Sequence, residues 1–307
     1  MQLTLLPRIT LIFGLFFGLN TEAKKYYKHV DEDGIIHYSD QPPAADVAYE
    51  SWQVRPEDTQ YEVKIINRGP EKAPAYYGVN PYHGPVAVRM EFTLQENAVA
   101  DPPLPATFVI PGNSDELLTT VTGQDQYQAW SFQFSYTSVM GDPNAKHQDG
   151  HVYQRPFQAD QQHFISQAFF GEFTHQGEQN RHAIDIVMPE GTPVLAARGG
   201  VVMDIADDFY DGGTDASQIQ RGNYIRILHD DGSMGVYAHL QLESVRVAPG
   251  QRIDTGHQIA LSGNTGFTSG PHLHFAVQVN DNLRLVSVPF LLQHRNGEVK
   301  FPTVGPL

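Results

Sequence analysis

The residues that could do chemistry begin with a glycine-rich turn that leads into two histidines separated by one residue. The turn spans 263–270 and the histidines are His272 and His274. Side chains at positions i and i+2 of a β-strand point to the same face, so the two imidazoles can meet at one small object. Zn²⁺ is the natural candidate, because a hydrolytic zinc site combines two imidazoles with one carboxylate and leaves a position for water.

Such a site needs an acidic residue from elsewhere in the chain, and Asp185 is the strongest candidate. It stands within the apolar run 183–187, at the start of a predicted strand. Burying a carboxylate costs free energy unless the group is paired or binds a metal. We therefore predict that Asp185 is a ligand, in preference to a turn or capping residue.

A third segment carries another histidine. Residues 223–229 and 235–240 read as two strands of a hairpin around an Asp-Asp-Gly-Ser turn, with His239 near the end of the second strand. The chain has no H-E-x-x-H helix, so the proton work that thermolysin-type enzymes assign to glutamate falls to another base. Histidines titrate near neutral pH and suit that task.

These segments together resemble the zinc endopeptidases of the lysostaphin and LytM type, which cut peptides of bacterial cell walls. The resemblance rests on D-I-x-x-P-x-G-T-P-V-x-A, V-Y-A-H-L and S-G-N-T-G-x-T-S-G-P-H-L-H-F, present in that order between about 166 and 292. It implies that Asp185 and His274 bind zinc and that His239 and His272 form the catalytic pair. Which of these two histidines is the base is left open.

The first block departs from the family pattern H-x-G-x-D, because Arg181 stands four residues before Asp185. His175 keeps the H-x-G start but is followed by a longer loop, and the surrounding sequence resembles a branch of the family that carries such a loop. His182 is the alternative, but positions i and i+3 of one strand face opposite sides, so it would need a bulge or turn to share a metal with Asp185. We predict His175 as the third ligand.

The implied function is a secreted zinc metalloendopeptidase that cleaves stem or cross-bridge peptides of peptidoglycan, with Zn²⁺ as its cofactor and wall peptides as its partners. Regulatory envelope proteins are further candidate partners. The alternative is a catalytically inactive LytM-like factor that binds the wall and activates a separate amidase. A carbohydrate-binding module without metal is a third interpretation. The oligomeric state is left open.

Composition and the N-terminal residues narrow the compartment and the partners. The chain has 307 residues, a net charge of −15 and no cysteine, so nucleic acid is disfavoured as a partner and any metal site must use nitrogen and oxygen. Residues 1–23 read as a secretory signal peptide, with Arg8 before an apolar run and Thr21-Glu22-Ala23 as a cleavage site. We expect a periplasmic or secreted protein, with a retained membrane anchor as the alternative.

The fold class predicted from strand-like runs separated by turn residues is all-β. A short hairpin domain at 24–50 resembles a domain of unknown role found near the start of many Gram-negative envelope proteins. A linker at 51–84, a sandwich-like accessory domain at 85–165, an antiparallel LytM-like domain at 166–292 and a tail at 293–307 follow. The accessory domain is expected either to position the wall polymer or to cover the groove.

Overall fold

The structure is a computed structural model that describes residues 24–30, 36–39, 42–43, 47–54 and 62–307. The predicted signal peptide and the Asp-Gly turn of the predicted hairpin lie outside the described residues. The described residues form β-strands and one short 3-10 turn, Ala216–Gln218, which confirms the all-β prediction. No helix among them is long and apolar enough to cross a membrane.

The first sheet contains the predicted hairpin and one more strand. Its strands are β1 (Lys24–Val30), β2 (Ile36–Ser39) and β3 (Tyr49–Val54). They pair antiparallel in the order β2-β1-β3, so the strand that follows the double proline returns to the open edge of β1.

The accessory domain is a sandwich of two antiparallel sheets, as predicted. Its strands are β4 (Lys64–Asn67), β5 (Ala75–Asn80), β6 (Val86–Glu96), β7 (Ala98–Asp101), β8 (Ala106–Ile110), β9 (Ser114–Gly123) and β10 (Ser131–Met140). One sheet has the order β10-β6-β8 and the other β4-β5-β9-β7. In β6, Val88 and Met90 are buried while Arg89 and Glu91 are exposed, the alternation of a strand that covers a core on one face.

This sandwich begins earlier in the chain than predicted. Strands β4 and β5 fall within the segment predicted as a linker and pair with the rest of the second sheet. Pro70 and Pro74 occupy the turn between these two strands, so the prolines mark a tight connection between short strands.

The second domain is built around a nine-stranded antiparallel sheet. The strands of the whole domain, of which nine form this sheet, are β11 (Val152–Tyr153), β12 (Phe164–Gln167), β13 (Ile184–Val187), β14 (Pro193–Leu195), β15 (Gly200–Ala206), β16 (Gly212–Gly213), β17 (Asn223–Leu228), β18 (Met234–Leu240), β19 (Arg252–Ile253), β20 (Gln258–Leu261), β21 (Gly266–Phe267), β22 (His272–Asn280), β23 (Leu285–Ser287), β24 (Leu291–Gln293), β25 (Val299–Lys300) and β26 (Gly305–Pro306). The large sheet has the order β19-β15-β17-β18-β22-β13-β12-β26, and β23 also pairs with β22.

Both ends of this domain extend past the predicted boundaries. Strand β11 pairs in parallel with β24, and β26 pairs with β12 at the edge of the large sheet. The residues predicted as a C-terminal tail therefore cover a sheet edge, and Leu307 is buried. These long-range pairings join residues far apart in sequence, which local patterns do not reveal.

The sandwich packs on the second domain at the end of the sheet remote from His239 and His274. Its core is continuous with Met203 and Met234, and the amide of Asn280 donates to the carbonyl of Gly141 at 3.0 Å. Met234 begins β18 and Asn280 ends β22, five and six residues from those two histidines. At about 3.3 Å per residue the contact lies roughly 15–20 Å along the strands from the histidines.

We expect buried His229 to make the fold sensitive to acid. Its Nδ1 donates to the carbonyl of Gly199, and burial lowers its pKa from 6.5 to about 4. Between pH 6.5 and 4 this histidine binds a proton in the unfolded chain but not in the folded chain. The free energy of unfolding therefore falls as the pH decreases from 6.5 to 4. A shift of this size contributes at most about 3 kcal/mol.

Urea unfolding over pH 4–7 tests this expectation. The His229→Asn variant should lose less stability on acidification than the wild type, whereas the exposed control His257→Asn should follow the wild-type curve. Parallel curves for wild type and His229→Asn would contradict the prediction.

Candidate metal centre and active site

Three of the predicted residues are placed by the pairing of β13 with β22. In this register Asp185 lies opposite His274, and Val187 lies opposite His272. Cross-strand partners share one face of a sheet, as do positions i and i+2 of one strand. Asp185, His272 and His274 therefore project together from the same face.

His175 reaches this face from the loop between β12 and β13. Its Nδ1 is 2.9 Å from the carbonyl of Ala168, and its Nε2 is 3.2 Å from Oδ1 of Asp185. A carbonyl oxygen only accepts, so Nδ1 carries a proton and the neutral ring holds its lone pair on Nε2. His175 precedes Asp185 by ten positions, and the loop between them returns the imidazole to the strand of Asp185.

His182 lies outside the cluster. Its backbone N–H donates to Oγ of Ser287 at 2.9 Å, and its Nδ1 is 2.8 Å from the carbonyl of Ser287. The rings of Phe169 and Phe170 pack edge-on against it. The alternative assignment for the third ligand therefore corresponds to a packing residue next to β23.

The His182→Ala variant should keep its full metal content. Only packing and one hydrogen bond to Ser287 are lost, which costs about 1–3 kcal/mol of stability. Metal analysis of the purified variant, with a thermal melt to register the destabilisation, checks this expectation. Loss of metal from a variant that still melts cooperatively would point to a ligand role for His182.

The cluster fits a metal ion. One ligand atom each from His175, Asp185 and His274 lies within 4.8 Å of the others, and all three residues are buried. The Nδ1 of His274 is 2.9 Å from the same Oδ1 that His175 approaches. Because Nδ1 of His175 donates to a carbonyl, a neutral His175 turns the lone pair of Nε2 toward a carboxylate oxygen, and these two electron-rich atoms repel each other. A cation between them would remove the repulsion, as in a metal centre with two imidazoles and one carboxylate.

Asp185 is held in its ionised form. Burial raises the pKa of this carboxyl, but the adjacent imidazoles of His175, His274 and His272 outweigh burial and hold the pKa well below its ordinary value. Metal binding requires a deprotonated carboxylate, and Asp185 is already in that form.

His239 is brought to the same face by an irregularity of β18. Ala238 pairs with both His274 and Tyr224, and Leu240 pairs with Asn223, which leaves His239 as an extra residue on its strand. Its φ is +62°, in the left-handed region. Regular alternation would send this side chain to the core face, so the bulge turns it toward His272, with ring centroids 4.6 Å apart.

The tautomers of His239 and His272 are set in the same way. Nδ1 of His239 is 2.7 Å from the carbonyl of Thr265, and Nδ1 of His272 is 2.8 Å from the carbonyl of Gly270. Each neutral ring therefore carries its lone pair on Nε2. Burial, and after it the neighbouring His272 and His274, lower the pKa of His239 to about 3.

The glycine-rich turn supplies both of these carbonyls. Gly266 has a φ of +81°, and a Cβ at Gly263 would lie 2.5 Å from the backbone nitrogen of Gln241. Larger residues are excluded at these positions, so the turn packs directly on the chain beyond β18.

Nε2 of His272 comes to 3.7 Å from Oδ1 of Asp185. Two imidazoles, those of His239 and His272, thus stand beside a site that could hold a metal.

Sequence reasoning missed one residue of this site. Nε2 of Gln167 donates to Oδ2 of Asp185 at 2.7 Å. Gln167 lies in a stretch that resembles a branch of the family, but the sequence assigned it no role, and the bulge that aims it has no signature in the sequence.

Two family models match the chain. The model described as peptidase family M23 matches residues 179–284, and a domain of unknown function (DUF4124) matches residues 15–61. These matches confirm both resemblances inferred from the motifs. The M23 match begins after His175, so the position of that histidine rests on the geometry alone.

Curated relatives and a solved structure are similar to the same part of the chain. Peptidoglycan DD-endopeptidase ShyA of Vibrio cholerae is 35% identical over 146 residues, which are 43% of this chain and 31% of ShyA. An uncharacterized metalloprotease of Haemophilus influenzae is 30% identical over 176 residues, 55% of this chain and 33% of that protein. The catalytic domain of lysostaphin from Staphylococcus simulans is 26% identical, covering 39% of this chain and 80% of that domain with a TM-score of 0.28. The chain spans about a third of the length of these two curated relatives.

Proposed function

We propose that this chain, which carries a peptidase family M23 domain at residues 179–284, is an active zinc metalloendopeptidase that cleaves stem or cross-bridge peptides of peptidoglycan. The observation that carries the proposal is the buried cluster of His175, Asp185 and His274 with His239 and His272 beside it. The printed activity of ShyA, a peptidoglycan DD-endopeptidase, supports the substrate class.

Export belongs to the same proposal, because peptidoglycan lies outside the cytoplasmic membrane. The pattern of residues 1–23 supports cleavage of a signal peptide and release into the periplasm or beyond. N-terminal sequencing of the protein recovered from the periplasmic fraction checks this part independently of the chemistry.

The cluster supports one set of metal-holding residues. His175 through Nε2, His274 through Nδ1 and Asp185 through Oδ1 would hold Zn²⁺, which when bound supplies an activated water and a Lewis acid for the scissile carbonyl. The hydrogen bonds to the carbonyls of Ala168, Thr265 and Gly270 lock the tautomers of His175, His239 and His272. Nε2 of His175 is then directed to the metal position, and the Nε2 atoms of His239 and His272 are available when substrate enters.

The chain's own proton chemistry falls to His239 and His272. Peptide hydrolysis removes a proton from the attacking water and delivers one to the leaving nitrogen, and the two Nε2 atoms divide these transfers. A protonated Nε2 also donates to the oxygen that becomes negative in the tetrahedral transition state. Neither histidine needs a carboxylate partner, because a backbone carbonyl fixes each ring.

The accessory sandwich acts in this proposal as a positioning module for the wall polymer. Its contacts with Met203, Met234 and Asn280 lie at the end of the sheet away from the metal residues. This placement favours positioning over the alternative role of covering the groove.

Digestion of purified sacculi tests the proposal. The protein should bind close to one zinc per chain and release muropeptide fragments whose masses identify the cleaved bond. A chelator should abolish release, and added zinc should restore it. A protein that binds no zinc, releases nothing and instead stimulates a wall amidase would establish the inactive-activator alternative.

A further inference from the structure

The side chain of Gln167 contacts two parts of the metal cluster at once. Its Nε2 donates to Oδ2 of Asp185 at 2.7 Å and to Oγ1 of Thr174 at 2.6 Å. Its Oε1 accepts from the backbone N–H groups of Phe173 and Thr174 at 3.0 and 3.3 Å. The amide thus joins the predicted carboxylate ligand to the residue that precedes His175.

The orientation of this amide is fixed by its partners. Backbone N–H groups only donate, so the two bonds from Phe173 and Thr174 identify Oε1 as the atom that faces the loop. Nε2 must then face Asp185, a carboxylate that only accepts. All four hydrogen-bonding positions of the Gln167 amide are used, which holds the side chain in one conformation.

A β-bulge aims Gln167 at the site. Ile165 pairs with Ile186 and Gln167 pairs with Asp185, so Ser166 is an extra residue on β12. Positions 165 and 167 of a regular strand would share a face, and Ile165 is buried in the core. The extra residue reverses the alternation and turns Gln167 to the face that carries Asp185.

Gly171 leaves the space that this side chain fills. A Cβ at Gly171 would lie 2.1 Å from Cγ and 2.6 Å from Cδ of Gln167. The carbonyl of Gly171 also accepts the backbone N–H of His175 at 3.1 Å. The loop that delivers His175 therefore folds directly around the Gln167 side chain.

The consequence concerns how Asp185 presents its two oxygens. Oδ1 faces His175, His272 and His274, whereas Oδ2 is held by Gln167. A carboxylate with one oxygen tied to an amide offers the other oxygen alone to a metal.

We propose that Gln167 is a positioning residue that sets Asp185 as a one-oxygen ligand and tethers the loop carrying His175. The inference rests on the proposed function in assuming that the cluster binds zinc. It also accounts for the departure from the H-x-G-x-D spacing: His175 lies on a loop and not on the strand of Asp185, so a separate tether replaces the rigid strand.

Zinc affinity of the full chain, measured by competition with a chromogenic chelator, tests the proposal. Gln167→Met keeps the volume and removes all four hydrogen bonds, and it should bind zinc 10- to 100-fold more weakly, the range for loss of a group that orients a metal ligand. The exposed control Gln158→Met should bind as the wild type does. In the cobalt-substituted protein, the visible bands should change in Gln167→Met and stay unchanged in the control.

Gly171→Ala provides a second probe that leaves Gln167 in the sequence. Its methyl group should expel the glutamine side chain and weaken zinc to a similar extent, and the double variant should be no weaker than the weaker single variant. Hydrogen exchange of the 168–182 segment in the metal-free protein should accelerate in Gln167→Met, because the amides of Phe173 and Thr174 lose their acceptor.

The outcomes separate this inference from the proposed function. A wild type that binds no zinc overturns the function and, with it, the inference. A wild type that binds zinc tightly, with Gln167→Met and Gly171→Ala of equal affinity and an unchanged cobalt spectrum, overturns the positioning role alone. Should Gln167→Met fail to fold, Gly171→Ala decides the question by the same measurements.

Discussion

The His274→Ala variant is expected to lose its zinc and its peptidase activity together. His274 supplies one of three predicted ligand atoms, and its Nδ1 lies 2.9 Å from Oδ1 of Asp185. Removing a ligand should weaken metal binding by more than the roughly 100-fold that loss of an outer hydrogen bond costs. Metal content of the purified variant and fragment release from sacculi are the two measurements.

A matched histidine shows whether the effect is specific. His257 is exposed in the same domain, and His257→Ala should keep one zinc per chain and full activity. His175→Ala should behave like His274→Ala, although these residues are 99 positions apart. One zinc per chain in His175→Ala or in His274→Ala would reject the ligand assignment.

The second large effect separates catalysis from metal binding. His272→Ala should keep its zinc while kcat falls by about 10²–10⁴, the contribution of a positioned general acid or base. His272 is not one of the three residues that could hold the metal. Its Nε2 faces that cluster, and its Nδ1 donates to the carbonyl of Gly270. Zinc content and kcat should be measured on the same preparation.

His239→Ala should give a similar loss with zinc retained, and the double variant should be little worse than either single variant, because the two histidines act as a unit. The pair would be rejected as catalytic if either variant cleaved wall peptides near the wild-type rate. Loss of zinc from His272→Ala would instead move this residue into the ligand set.

Part of this site could be predicted because it depends on local periodicity. His272 and His274 share a face through the two-residue repeat of a strand, and Asp185 stands out as an acidic residue in an apolar run. The glycine-rich turn predicted the abrupt entry into that strand. These features were recognisable because each is encoded within about ten residues of sequence.

The sequence favoured His175 over His182, because His175 keeps the H-x-G start of the motif and His182 would face away from Asp185 on a regular strand. Only the tertiary structure shows the contacts that place the two histidines. The loop conformation that directs His175 inward depends on Ala168, Gly171 and Gln167, while His182 is bound by Ser287, more than a hundred residues later.

Domain boundaries were harder to predict for a similar reason. Strands β4 and β5 are short and separated by prolines, a composition shared by linkers. Strands β24 to β26 are two or three residues long, and β24 and β26 pair with strands far away in the sequence. Pairing between segments far apart in sequence carries most of the structural information in these regions.

The sequence by itself determined the all-β class and the M23-type motifs and singled out the five candidate site residues, because alternation, turn glycines and a lone acidic residue among apolar neighbours are local signals. The tertiary structure alone showed how His175 enters the cluster on a loop, and how His239 and Gln167 reach it. Both of these side chains depend on one extra residue in a strand, which reverses the face of everything beyond it. Such a bulge arises from the register of two paired strands, and the residues of one strand do not specify that register.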